Sequence, residues 1–167
     1  QRAATTAREA ALLVVAGPGS GKTVTVVRRI THLVRARQVR PEEILVLAFN
    51  RAAASELRHR LSRSLGRRAQ YVDVRTFHSL ALRLTGIDLQ EKRGDREDLE
   101  GALDRAMARA ADLLEAAEAG EPSAEREAAE QVRRQALRGV GHVLVDEYQD
   151  LDPDQYRLLA ALVGLNR

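Results

Sequence analysis

The stretch Ala11-Leu12-Leu13-Val14-Val15-Ala16-Gly17-Pro18-Gly19-Ser20-Gly21-Lys22-Thr23 decides how this chain is read. Residues 11–16 are apolar throughout rather than alternating, the pattern of a strand buried on both faces. The glycines that follow allow backbone N–H groups to close round phosphate oxygens, in conformations that a side chain would block. Beyond them Val26, Val27, Ile30, Leu33 and Val34 recur at helical spacing, so residues 23–34 read as a helix whose positive N-terminal end faces the same phosphates. Gly17, Pro18, Gly19, Ser20, Gly21, Lys22 and Thr23 thus read as a P-loop. Lys22 supplies positive charge to the β- and γ-phosphates, and Thr23 offers a hydroxyl to Mg²⁺. Ala16 stands where the pattern usually begins with glycine, and it is small enough to be tolerated.

A phosphate cradle of this kind needs an acidic pair at the end of another buried strand, and Val143-Leu144-Val145-Asp146-Glu147 supplies one. Asp146 would hold Mg²⁺ through water, and Glu147 would orient or deprotonate the attacking water. Further strands are expected at residues 44–49, 71–74 and 140–145. Helices are expected at residues 1–9, 52–65, 76–84 and 154–163. Strands apolar on both faces, alternating with helices, predict an α/β fold: a parallel sheet flanked by helices. Residues 91–139 break the rhythm with charged, alanine-rich helical sequence punctuated by Gly120-Glu121-Pro122-Ser123. They read as a two-helix insertion, with Leu99, Leu103, Ala106, Ala110 and Leu113 along its apolar stripe. The division expected is therefore a core of residues 1–90 and 140–167 with a helical insertion at 91–139.

Composition narrows the classes further. The chain has 167 residues, 44% hydrophobic and 31% charged, which suits a folded domain rather than a disordered segment. It has no cysteine, which excludes disulfide scaffolds, cysteine zinc sites and thiol nucleophiles. The longest apolar runs, residues 10–16 and 44–49, fall short of the ~20 residues of a membrane span. The first residues lack the charged-then-apolar pattern of a signal peptide, so a cytoplasmic protein without a membrane partner is expected. The net charge of +3 divides into +10 over residues 1–90 and −7 over the remainder, which suggests a polyanionic partner. Arg58, Arg60, Arg63, Arg67 and Arg68 form either a phosphate-tracking face or a solvated one.

Asp146-Glu147-Tyr148-Gln149-Asp150 resembles motif II of superfamily 1 DNA helicases of the UvrD/Rep/PcrA type, which reads D-E-[FY]-Q-D. The P-loop is similar to that family's A-G-x-G-S-G-K-T, and Gln1 lies 16 residues before Gly17, where the family carries an adenine-reading glutamine. Residues 47–57 resemble motif Ia, and Thr76-Phe77-His78-Ser79-Leu80-Ala81 resembles motif Ib. The resemblance covers residues 1–90 and 140–163. It implies a RecA-like motor domain that uses ATP and Mg²⁺, acts on single-stranded DNA and single/double-strand junctions, and moves 3′ to 5′. By the same resemblance Phe49 stacks on a DNA base, Asn50 and Arg51 contact the strand, and Thr76, Phe77 and His78 line its path. Gln149 couples the γ-phosphate to those contacts. Phe49 has a second reading as core, and Phe77 as packing beneath its helix.

Three departures stand out. The family usually carries arginine directly after G-K-T, and here the residue is Val24. Its T-N-K of motif Ia is Asn50-Arg51-Ala52. The insertion is shorter than the family's helical subdomain 1B. The second RecA-like domain, which contributes arginines across the cleft, lies outside these 167 residues, so weak hydrolysis by this part alone is expected. A nucleotide- or DNA-binding regulatory module without unwinding is the alternative. A GTPase or kinase is disfavoured, because the N-K-x-D guanine motif is missing and the D-E-Y-Q-D run fits neither.

Overall fold

The computed structural model describes residues 1–17, 19–88, 96–118 and 123–164, which divide into two compact units. The first comprises Gln1–Thr76 and Gly139–Gln149, and the second Phe77–Arg138 and Asp150–Arg167.

The first unit is built on a parallel sheet of β1 (Ile44–Ala48), β2 (Asp73–Thr76) and β3 (His142–Val145), in the order β2-β1-β3. All five residues of β1 are buried, as its unbroken apolar run requires of a central strand. The register pairs Ala48 with Thr76 and Leu47 with Val145, so all three strands finish along one edge of the sheet. Helix α2 (Lys22–Arg35) buries Val27, Ile30, Leu33 and Val34, and α3 (Arg51–Leu65) buries Ala54, Leu57, Leu61 and Leu65. These side chains form one core with Ile44, Val46 and Ala48 on one face of β1. Each fully buried Leu, Ile or Val contributes about 1.5–3 kcal/mol there. Asn50 starts α3 by accepting a 2.8 Å hydrogen bond from the Ala53 N–H. A short α1 (Arg2–Thr6) replaces the longer helix expected at residues 1–9. It is tied to α2 by Arg29, which donates to the carbonyls of Ala4 and Ala7.

The expected first strand, residues 11–16, is not a strand. The segment is exposed, Leu13 by 64% and Val15 by 87%, and has no ladder partner among the described residues. An apolar run becomes a strand only through a neighbour's hydrogen bonds. Among the described residues the ladder joins only β2, β1 and β3, and residues 11–16 take no part in it.

The second unit is helical: α4 (Phe77–Thr85), α5 (Arg96–Glu118), α6 (Ala124–Ala136) and α7 (Pro153–Val163). Helix α5 packs against the other three. The sequence division groups residues 77–90 and 150–167 with the sheet, whereas α4 and α7 form a compact unit with the insertion helices. The physical cause is the small face of α5, where Ala102, Ala106, Ala110, Ala111 and Ala117 let neighbouring helices approach closely, flanked by Met107 and Leu114. The expected stripe is correct at Ala106 and Ala110, but Leu99, Leu103 and Leu113 lie at its exposed or half-buried margin. Arg157 fastens α7 to α5 through Glu115, 2.9 Å from Nε, and Asp112, 2.6 Å from Nη2. The turn at residues 119–122 lies outside the described residues.

Candidate nucleotide site

Backbone conformation fixes the loop before any side chain acts. Gly19 and Gly21 have φ of 72° and 85°, the left-handed region that disfavours residues with a Cβ. Gly21 also caps α2, and a Cβ there would lie 2.9 Å from the Gln1 amide nitrogen. A Cβ on Gly17 would meet nothing within 4 Å, so the surrounding chain does not itself demand glycine at that position. Pro18 lies outside the described residues.

Lys22 opens α2, and its Nζ lies 3.3 Å from the Ala16 carbonyl and 3.6 Å from the Glu147 carboxylate. Thr23, the next residue, brings its hydroxyl beside the Asp146 carboxylate, where it favours the charged form. Asp146 is buried at the end of β3, where its N–H donates to the Leu47 carbonyl at 2.9 Å and so extends the ladder with β1. Burial is the main force raising the Asp146 pKa above its ordinary value, and the neighbouring Glu147 charge adds to it. The Thr23 hydroxyl, the Glu147 N–H and Lys22 oppose the rise. Glu147 has a φ of 53° and accepts a 2.6 Å hydrogen bond from the Gln149 amide. Gly19, Ser20, Gly21, Lys22, Thr23, Val24, Arg60 and Glu147 line a cleft of about 230 Å³.

The arrangement brings together a cation, a hydroxyl and two carboxylates beside a loop of exposed backbone. The donor set of Thr23 and Asp146 consists of hard oxygens, as magnesium requires. Magnesium commonly takes only one or two carboxylates, its other ligands being water and phosphate. No group of three or more His, Cys, Asp or Glu side chains is gathered among the described residues.

Gln1 also reaches this loop. Its Nε2 donates to the Ser20 carbonyl at 2.9 Å, while its Oε1 accepts from Arg28 at 2.8 Å. Its amide therefore engages the phosphate loop itself in this structure.

Of the residues assigned to DNA, Phe49 is 41% exposed, which disposes of its reading as core. Asn50 and Arg51 are exposed, and Thr76 and His78 are half-buried. Phe77 has to be corrected: its ring is fully buried in α4, at 0% exposure, and offers no stacking face. Its reading as a side chain packed beneath its helix is the one the structure supports. The five arginines do not form one face either. Arg58 donates to the Val74 carbonyl and Arg60 lines the cleft, while Arg63, Arg67 and Arg68 are exposed. Sequence reading named Arg60 only as one of five arginines of a possible phosphate-tracking face, and did not place it at this cleft. The available signal was its place beside Leu57 and Leu61, at the margin of the buried stripe of α3.

Sheet, loop and acidic strand end define a RecA-like P-loop fold. The model of the UvrD/REP helicase N-terminal domain matches residues 1–118 and 103–167, and the chain belongs to that family. It is 32% identical to ATP-dependent DNA helicase UvrD1 of Mycobacterium tuberculosis over 231 aligned positions, covering 98% of this chain and 30% of the relative. An alignment longer than the chain means that the relative carries stretches with no counterpart here. Escherichia coli DNA helicase II is 43% identical over 84 residues, 50% of this chain and 12% of the relative. The PcrA helicase of Staphylococcus epidermidis is 40% identical over 76 residues, 46% of this chain and 10% of the relative. The chain thus spans about 30% of the length of the UvrD1 relative. No helix of the described residues is long and apolar enough to cross a membrane.

Proposed function

We propose that this chain is the ATP-binding motor domain of a cytoplasmic DNA helicase, which couples ATP hydrolysis to 3′-to-5′ movement on single-stranded DNA and to unwinding at duplex junctions. The observation that carries the reading is the convergence of Lys22 and Thr23 with Glu147 and Asp146 at one site, from opposite ends of the sequence. Lys22 neutralises the β- and γ-phosphates, and the loop N–H groups around Gly19 and Gly21 hold their oxygens. Thr23 and Asp146 would hold Mg²⁺, which supplies charge neutralisation at the phosphates when bound. Glu147 orients the attacking water and accepts its proton, and Gln149, bonded to Glu147, relays phosphate occupancy to the DNA-binding segments. Gln1 reads the adenine.

DNA is proposed to run past Phe49, Asn50, Arg51, Thr76 and His78. Phe49 stacks on bases without regard to sequence. The second RecA-like domain would complete the site with arginine, a contribution worth ~10³–10⁵ in rate for P-loop enzymes. Hydrolysis by this domain alone is therefore slow. The test is ATP turnover by the full-length protein with and without single-stranded DNA. Lys22→Ala is expected to abolish DNA-stimulated turnover, and retained turnover would overturn the reading.

A further inference from the structure

Val24 and Arg60 both line the phosphate cleft, Val24 from the first turn of α2 and Arg60 from α3. The position directly after Gly21-Lys22-Thr23 thus contributes an apolar side chain, and a guanidinium from a different helix stands in the same wall. Lys22 is the first cation of the cleft and is paired with Glu147 at 3.6 Å. Arg60 adds a second cation to a cleft otherwise lined by the loop backbone, Thr23, Val24 and Glu147. Its Nε is held by Glu56 Oε1 at 2.6 Å, one turn back on the same helix, and its side chain is 40% exposed. Fixing Nε in this way restrains the planar fork and reduces the ordering cost of a further contact through its terminal nitrogens.

We propose that Arg60 is a nucleotide-binding residue that contacts the polyphosphate and supplies from α3 the positive charge that Val24 does not provide. The inference rests on the reading of the cleft as an ATP site. A half-exposed arginine paired at i,i+4 adds little to folding, so its removal leaves the fold intact. What it changes is anion binding, because a charge-assisted bond to phosphate is lost.

The test is equilibrium binding of a fluorescent ATP analogue to the full-length protein, with inorganic tripolyphosphate as competitor. Arg60→Ala is expected to weaken both ligands by a similar factor, roughly ten-fold for one charged hydrogen bond. Adding Val24→Arg to Arg60→Ala is expected to restore most of the loss, which a purely structural role for Arg60 would not produce. Unchanged tripolyphosphate binding in Arg60→Ala overturns the inference, as does a loss that Val24→Arg leaves untouched while thermal stability falls. Lys22→Ala, measured alongside, separates the two readings. If it weakens binding and Arg60→Ala does not, only the role of Arg60 fails. If neither weakens binding, the cleft is not the nucleotide site.

Discussion

The Lys22 ammonium lies 3.6 Å from the Glu147 carboxylate, which also accepts the Gln149 amide at 2.6 Å. The cation expected to meet phosphate and the base expected to meet water therefore engage each other in this structure. A triphosphate entering the cleft has to compete with Glu147 for Lys22.

Glu147→Gln removes that competitor and the base together. The expected result in the full-length protein is ATP binding unchanged or a few-fold tighter, with hydrolysis slowed by ~10²–10⁴ as for loss of a general base. Binding titration and single-turnover phosphate release measure the two separately. If affinity falls in step with the rate, Glu147 acts by holding nucleotide and not by activating water.

Gly21→Ala meets two obstacles. The backbone there has φ of 85°, a region costing an L-residue roughly 1–2 kcal/mol. The new Cβ would also lie 2.9 Å from the Gln1 amide. Thermal unfolding should show destabilisation, with a larger loss of ATP affinity as Gln1 and the loop shift. Gly17→Ala, where a Cβ has open space, should leave stability within about 0.5 kcal/mol. Equal destabilisation by both would contradict the geometry of the loop.

Much of this architecture was legible in the chain. Ile44, Leu45, Val46, Leu47 and Ala48 are apolar without alternation, the pattern of a strand covered on both faces, and the stripes of α2 and α3 specify the faces they bury. The P-loop and the acidic pair were readable because their chemistry confines residue types to adjacent positions. Residues 11–16 misled because apolarity reports a need for burial, not the presence of a neighbouring strand. The stripe of α5 misled because an alanine-rich helix can pack on several faces, and tertiary contacts choose the face of Ala102, Ala106, Met107, Ala110 and Leu114 over Leu99 and Leu113. The place of Arg60 at the cleft, rather than on a face with the other four arginines, was hidden because it depends on how α3 lies against α2, which local spacing does not encode.

Phe49 and Asn50 adjoin in sequence but should fail differently. Phe49 is 41% exposed, so Phe49→Ala should change stability by less than about 0.5 kcal/mol. It should still weaken single-stranded DNA binding by the roughly 1–3 kcal/mol of one stacked base. Asn50 caps α3, so Asn50→Ala should cost about 0.5–2 kcal/mol of stability. Asn50→Ser, which keeps a capping oxygen, should recover the stability. Chemical denaturation and DNA titration of the full-length variants test both. A Phe49→Ala protein that binds DNA normally would remove the stacking role.

Asp146 makes the acid response of the fold a test of its burial. Burial raises its pKa above the ordinary value of 3.8, and Glu147 pushes the same way, against the Thr23 hydroxyl, the Glu147 N–H and Lys22. The folded chain therefore takes up a proton here at a pH where the unfolded chain does not. Folding is favoured by that proton, fully so below the unfolded value, and the benefit is lost as pH rises through the folded pKa. At neutral pH the ionised Asp146 accordingly lowers stability. Asp146→Asn should then melt higher than the parent at pH 7, and the gap should narrow as pH falls towards 3.8. Mg-ATP should raise the melting temperature of the parent protein but not of the variant, because a ligand stabilises only the state that binds it. If Asp146→Asn melts lower at pH 7, the favourable influence of the Thr23 hydroxyl and the Glu147 N–H on the carboxylate outweighs the cost of burying the charge. The acidic residue would then act as a structural clasp between β3 and α2 in addition to its proposed work on the metal.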